Sequence, residues 1–146
     1  MKVYFACSIT GGRDSAQLYQ DIVDEIKESG AELLSELFAD QTIDAKKGKS
    51  VKKDMSKKDI WEWDLNWVKE ADVIVAEVTQ PSLGVGYEIA KAEEWGKPIL
   101  CLFYEPSNKR LSAMIEGSTA NETKYYDSKE SATNFVRKFI AQNSSN

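Results

Sequence analysis

Two carboxylates stand in apolar surroundings in this sequence, and it contains no histidine to work beside them. Asp64 lies in SKKDIWEWDLNWVKEA (residues 56–71), where helical spacing puts it on one stripe with Ile60, Trp67, Val68 and Ala71. Glu88 ends the run QPSLGVGYE and falls beside Val85, Ile89 and Ala92, toward the packed side of a second helix. An uncompensated carboxylate in such a place is costly. Each therefore has two readings. Glu88 is either a side chain favoured by the positive end of a helix, worth about 0.3–1 kcal/mol, or a functional group. Asp64 is either an inward cap partner or ion-pair member, or a functional group. Without His, and without a closely spaced Cys pair, His-containing triads, zinc-activated water and the common metal-ligand spacings drop out together, and neither a metal nor a cofactor is expected. The remaining tools are carboxylates, hydroxyls and backbone donors. Two inward carboxylates then point to glycosyl chemistry.

Three further segments carry the residue types that hold an anion. Ser8-Ile9-Thr10-Gly11-Gly12-Arg13 and Pro81-Ser82-Leu83-Gly84-Val85-Gly86 both follow apolar runs, and Ser112-Ala113-Met114 comes later. Glycines let backbone N–H groups approach a phosphate, hydroxyls add donors and a helix N-terminus adds a dipole. Neither glycine segment matches the P-loop or the dinucleotide fingerprint, and each alone reads equally as a structural turn. The net charge of −5 argues against a nucleic-acid polymer as partner and leaves a small phosphate ligand open.

The elements that must position these residues are legible from periodicity. KVYFAC (2–7) reads as a buried strand. A helix follows from Ser15 with Leu18, Ile22, Val23 and Ile26 inward, Asp14 as candidate N-cap and Gly30 as C-terminal stop. ELLSEL (32–37) is a second strand, although its period admits a helix. Residues 39–58, with Lys46, Lys47, Lys49, Lys52, Lys53, Lys57 and Lys58, read as a long mobile loop, either a solvated charge run or a flap over an anion. After the helix of 56–71 come a strand at DVIVAEV, a helix opened by Gly84 through GYEIAKAEEWGK, a strand at PILCLF (98–103), a short strand at KYYD (124–127), and a helix from Lys129 to Ala141 with Phe135, Val136 and Phe139 inward. Strands alternating with helices predict a parallel sheet covered on both faces. Ligands in such folds bind outside the C-terminal strand ends, where all three anion-type segments fall.

A chain of 146 residues suits one domain. Cys7 and Cys101 sit in apolar runs as free buried thiols, with no disulfide framework implied. The N-terminal apolar run is too short for a signal peptide and no long apolar stretch follows, so a cytoplasmic or nuclear location is expected.

VYFACSITGGRDSAQLYQDIV (3–23), DLNWVKEAD (64–72), ADVIVAEVTQPSLGVGYEIAKA (71–92) and ILCLFYEPSNKRLSAMI (99–115) resemble the 2′-deoxynucleoside 5′-phosphate N-hydrolases of the nucleoside 2-deoxyribosyltransferase superfamily. The run TQPSLGVGYE is the most specific part. The resemblance implies a three-layer Rossmann-like, flavodoxin-like domain over 1–146, with a mostly parallel five-stranded sheet and helices on both faces. It implies hydrolysis of the N-glycosidic bond of 2′-deoxynucleoside 5′-monophosphates through a covalent glycosyl intermediate, with Glu88 as nucleophile, Tyr4 beside it and Asp64 beside the sugar. Ser8, Ile9, Thr10, Gly11, Arg13, Ser82 and Gly84 match the phosphate-binding segments, and Ser112 and Met114 match residues supplied across a homodimer interface. Thr10 departs from the family, which commonly has Arg there, so that a phosphate contact is either lost or taken over by Arg13 or a lysine. Two rivals stay open: base exchange by a transferase, and a nucleotide-binding sensor without turnover.

Overall fold

The computed structural model of the chain describes residues 1–8, 13–34 and 56–144, with the backbone alone for residues 13 and 14. In chain order the elements are β1 (Lys2–Ala6), α1 (Arg13–Glu28), β2 (Glu32–Leu33), α2 (Lys57–Glu70), β3 (Val73–Glu77), α3 (Leu83–Glu94), β4 (Ile99–Tyr104), α4 (Ala113–Glu116), β5 (Glu122–Tyr126) and α5 (Lys129–Ser144). The five strands form one sheet in the order β2-β1-β3-β4-β5, and every described pairing is parallel. This is the flavodoxin-like order, with its switch point between β1 and β3. The expected doubly covered parallel sheet is therefore present.

Alternation along each strand separates two cores. Val3, Phe5, Val73, Val75, Leu100 and Leu102 pack with Ile22 and Ile26 of α1 and with Val136 and Phe139 of α5 on one face. Tyr4, Ala6, Ile74, Ala76, Ile99 and Cys101 pack with Val68 of α2 and with Val85 and Ile89 of α3 on the other. Both cysteines are free and buried. An Arg137–Glu25 pair joins α5 to α1 by two hydrogen bonds, at 2.8 and 2.6 Å.

The helix ends have local causes. Ser56 caps α2: its hydroxyl accepts from Asp59 N–H at 3.1 Å while the Asp59 carboxylate accepts from Ser56 N–H at 3.1 Å, a reciprocal capping box. Lys57 and Lys58 thus belong to α2 and not to a loop, because this cap starts the helix ahead of its first apolar residue. The rest of the lysine-rich stretch, through residue 55, lies outside the described residues, as does ELLSEL beyond Leu34. Asp14 is a helical residue and not the N-cap of α1, which already includes Arg13; apolar spacing fixes a helix's face but not its first residue. The helix of the LGVGYE run likewise opens at Leu83, one residue before Gly84, under a Ser82 cap. At its far end Gly96, with φ +66°, lets its own N–H reach Glu93 O at 2.9 Å and the Lys97 N–H reach Ala92 O at 3.0 Å. Lys97 Nζ donates to Lys69 O and Ala71 O at 2.8 and 2.7 Å, satisfying carbonyls at the end of α2 and tying α2 to α3.

Candidate active site

The two helices that bear the carboxylates lie side by side over one sheet face, α2 on β1 and α3 on β3 and β4. Tyr4, central in β1 and paired across the sheet with Ile74, points to that face and is 1% exposed. Its phenol is hydrogen-bonded to Glu88 of α3, with Asp64 of α2 close enough to act on it electrostatically. Burial first, then the Glu88 and Asp64 charges, hold the phenol well above its usual value of 10.0. The hydroxyl therefore keeps its proton and serves as donor to the carboxylate. Glu88 and Asp64 are each partly buried, so both are sheltered from bulk water without being closed off in the core. The structure thus brings Tyr4, Asp64 and Glu88 together although they are far apart in sequence.

Around this trio, Ser8 is buried just past the end of β1, 3% exposed. The Ser82 hydroxyl accepts from Val85 N–H at 3.3 Å, capping α3, and its own proton is left to donate. Gly84 is exposed in the first turn of α3, and nothing but the Ser82 hydroxyl, at 3.8 Å, would meet a side chain there, so that turn is open toward solvent. A helix start of this kind presents unpaired N–H groups to an anion. Ile9, Thr10 and Gly11, and the Arg13 side chain, lie outside the described residues.

Ser112 and Met114 are not brought to Glu88. Ser112 is exposed and caps the short α4, its hydroxyl accepting from Met114 N–H at 3.3 Å, and Met114 is 84% exposed. Both line a cavity of about 580 Å³ shared with Ser82, Leu83, Gly86, Ala90 and Arg110. At about 100° per residue, Gly86, Ala90 and Glu93 lie on one flank of the α3 core stripe and Glu88 on the other. The cavity and the Tyr4–Glu88 pair consequently occupy opposite sides of one helix.

Sequence alone marks Glu77 only as a charged residue in an apolar strand, yet it is 1% exposed. Its carboxylate accepts from Thr79 Oγ1 and N–H and from the Tyr126 hydroxyl, the last at 3.0 Å. Burial pushes its pKa up, opposed by these hydrogen bonds. The available signal was the period of two, which puts residue 77 on the same inward side as Val73 and Val75. Among the described residues no group of His, Cys, Asp or Glu is arranged to hold a metal ion.

Comparison with known proteins identifies the family and the fold. The sequence model of the nucleoside 2-deoxyribosyltransferase family matches residues 3–132. The 5-hydroxymethyl-dUMP N-hydrolase of Rattus norvegicus is 49% identical over 116 residues, 80% of this chain and 69% of that protein. Its counterpart of the same name in Tetraodon nigroviridis is 46% identical over 118 residues, 81% of this chain and 80% of that one. Among solved structures, the Clostridium botulinum CMP N-glycosidase BcmB superposes with a TM-score of 0.66 over 93% of this chain and 98% of its own, at 18% identity, a likeness of fold. The match runs from Val3 in β1 to Ala132 at the start of α5 and takes in every residue of the Tyr4–Asp64–Glu88 trio: the chain belongs to the nucleoside 2-deoxyribosyltransferase family.

Proposed function

We propose that the chain hydrolyses the N-glycosidic bond of 2′-deoxynucleoside 5′-monophosphates, releasing a free base and 2-deoxyribose 5-phosphate. The observation that carries this reading is the buried Tyr4 phenol hydrogen-bonded to Glu88 with Asp64 beside it. Ionised Glu88 attacks C1′; the C1′–N bond breaks through an oxocarbenium-like transition state, its electron pair leaves with the base, and a deoxyribosyl ester forms on the carboxylate. Water then attacks C1′ and breaks the C1′–O bond of the ester, which restores Glu88; the proton it gives up balances the one taken by the departed base, and 2-deoxyribose 5-phosphate is released with net retention. The Tyr4 hydroxyl holds the attacking oxygen in place and, by donating to it, favours its charged form. Asp64, beside the pair, is assigned to the sugar by the resemblance. Ser8, Ser82 and the N-terminus of α3 hold the 5′-phosphate; the resemblance assigns Ile9, Thr10, Gly11 and Arg13 to the same phosphate.

The relatives named 5-hydroxymethyl-dUMP N-hydrolase make that nucleotide the first substrate to try. A screen of deoxynucleoside monophosphates for released base tests the reading, and no release from any of them ends it. An added free base incorporated into new nucleotide would instead establish the transferase, the activity after which the family is named.

The active unit is a homodimer. Met114 and Leu83 are 84% and 97% exposed beside an apolar cavity, on the flank of α3 opposite Glu88. A second copy seated there covers these side chains and carries Ser112 and Met114 to its partner's site, twice by symmetry.

A further inference from the structure

We propose that Glu77 is a positioning residue for phosphate recognition, holding the turn Thr79–Ser82 at the height where the Ser82 cap and the start of α3 meet the 5′-phosphate. The inference rests on the hydrolase reading above and concerns a residue outside the Tyr4–Asp64–Glu88 trio.

Glu77 ends β3, and its side chain lies on the α1/α5 face of the sheet, whereas Glu88 packs on the other. It is therefore not aimed at C1′. Thr79, two residues on, donates to it through both N–H and Oγ1, and that same Oγ1 accepts from Tyr104 N–H at 2.7 Å. Tyr126, at the end of β5, donates to the same carboxylate oxygen at 3.0 Å. Gln80 Oε1 accepts from Lys109 Nζ at 2.5 Å. The turn is thus fastened to the ends of β3, β4 and β5 and to the connection after β4, with Glu77 at the centre. The Cys7 thiol and the Tyr19 phenol also face this carboxylate, and burial first and Glu77 second push the thiol up to about 12. Cys7 precedes Ser8, so Glu77 backs both phosphate-binding segments at once.

A carboxylate here is costly if stability is the only requirement, since apolar replacements of buried charges are often neutral or stabilising. Three donors converging on one acceptor fix a turn more narrowly than packing does, and a phosphate gripped by backbone N–H groups is sensitive to displacements of about an ångström.

The test compares wild type with Glu77→Leu and Glu77→Gln on a deoxynucleoside and its 5′-monophosphate, alongside calorimetric binding of 2-deoxyribose 5-phosphate. For Glu77→Leu the expected result is a rise of about tenfold or more in KM for the monophosphate, a change in kcat of less than about threefold, and a drop of about tenfold in the preference for monophosphate over nucleoside. Binding of 2-deoxyribose 5-phosphate weakens in parallel, and Glu77→Gln, which keeps an acceptor oxygen, recovers part of the preference. Equal losses on both substrates, or a lower Tm with the preference intact, overturn the proposal while leaving the hydrolase reading standing. No base release by wild type overturns the hydrolase reading itself. If Glu77→Leu does not fold, Thr79→Val removes one of the three donors, and the same shift in preference, or its absence, decides the matter.

Discussion

The Tyr4 hydroxyl of β1 donates to the Glu88 carboxylate of α3, and burial keeps that phenol protonated. The pair joins the sheet floor to the helix above it. Replacing Glu88 by Ala removes the attacking oxygen and is expected to lower kcat for base release by about 10³ or more, with the far-UV spectrum and Tm close to wild type because the side chain is only partly buried. Tyr4→Phe keeps the ring and removes the donor, and kcat is expected to fall by about 10²-fold. Steady-state kinetics on a monophosphate substrate check both, and turnover near wild type in Glu88→Ala would reject the mechanism.

Stability should decline in alkali. Burial raises Cys7 and Cys101 from 9.0 to about 12, and it raises Tyr4, Tyr19 and Tyr126 above 10.0. A group raised in the fold favours its protonated form there. The stabilisation is therefore complete below the unfolded value and is lost as pH climbs toward the folded one. The window opens near pH 9 with the thiols, each costing about 1.4 kcal/mol per pH unit above that point. Melting curves from pH 7 to 11 should be flat up to about pH 9 and then fall, and a Cys7→Ala/Cys101→Ala variant should show a shallower slope between 9 and 10. An unchanged slope there would mean that the thiols do not contribute.

Ser82 has two duties, capping α3 and offering a proton to the phosphate. Ser82→Ala is expected to cost about 1 kcal/mol of stability from the lost cap and to reduce the preference for monophosphates over nucleosides several-fold. Paired denaturation and kinetic measurements separate the two effects. A stability loss without any change in preference would remove Ser82 from the phosphate site.

Ser112 and Glu88 lie on opposite flanks of α3 within one chain. Glu88→Ala and Ser112→Ala chains, each weakly active alone, should regain activity when mixed under conditions of subunit exchange, because each heterodimer has one site carrying both defects and one carrying neither. Sedimentation analysis should show dimers at assay concentrations. A fully active monomer, or mixing without recovery, would count against the shared site.

Periodicity alone laid out β1, β3, β4 and the helices between them, because each is a buried strand or a half-buried helix with a regular apolar spacing. The charge pattern also exposed Asp64 and Glu88, since a carboxylate breaks an apolar stripe visibly. Helix starts were less legible: Asp14 falls inside α1 and Lys57 inside α2, because a cap is a property of one backbone turn and not of a repeat. Only the tertiary structure decided which groups meet. The 2-1-3-4-5 order sets β1 beside β3 and so places Tyr4 under Glu88, an adjacency that local spacing cannot contain. The same order brings Thr79 and Tyr126 to Glu77 and sets the Tyr104 N–H on Thr79 Oγ1, so that a carboxylate that in sequence is one charge in a hydrophobic run is in the fold the acceptor for the Thr79 N–H, the Thr79 hydroxyl and the Tyr126 hydroxyl.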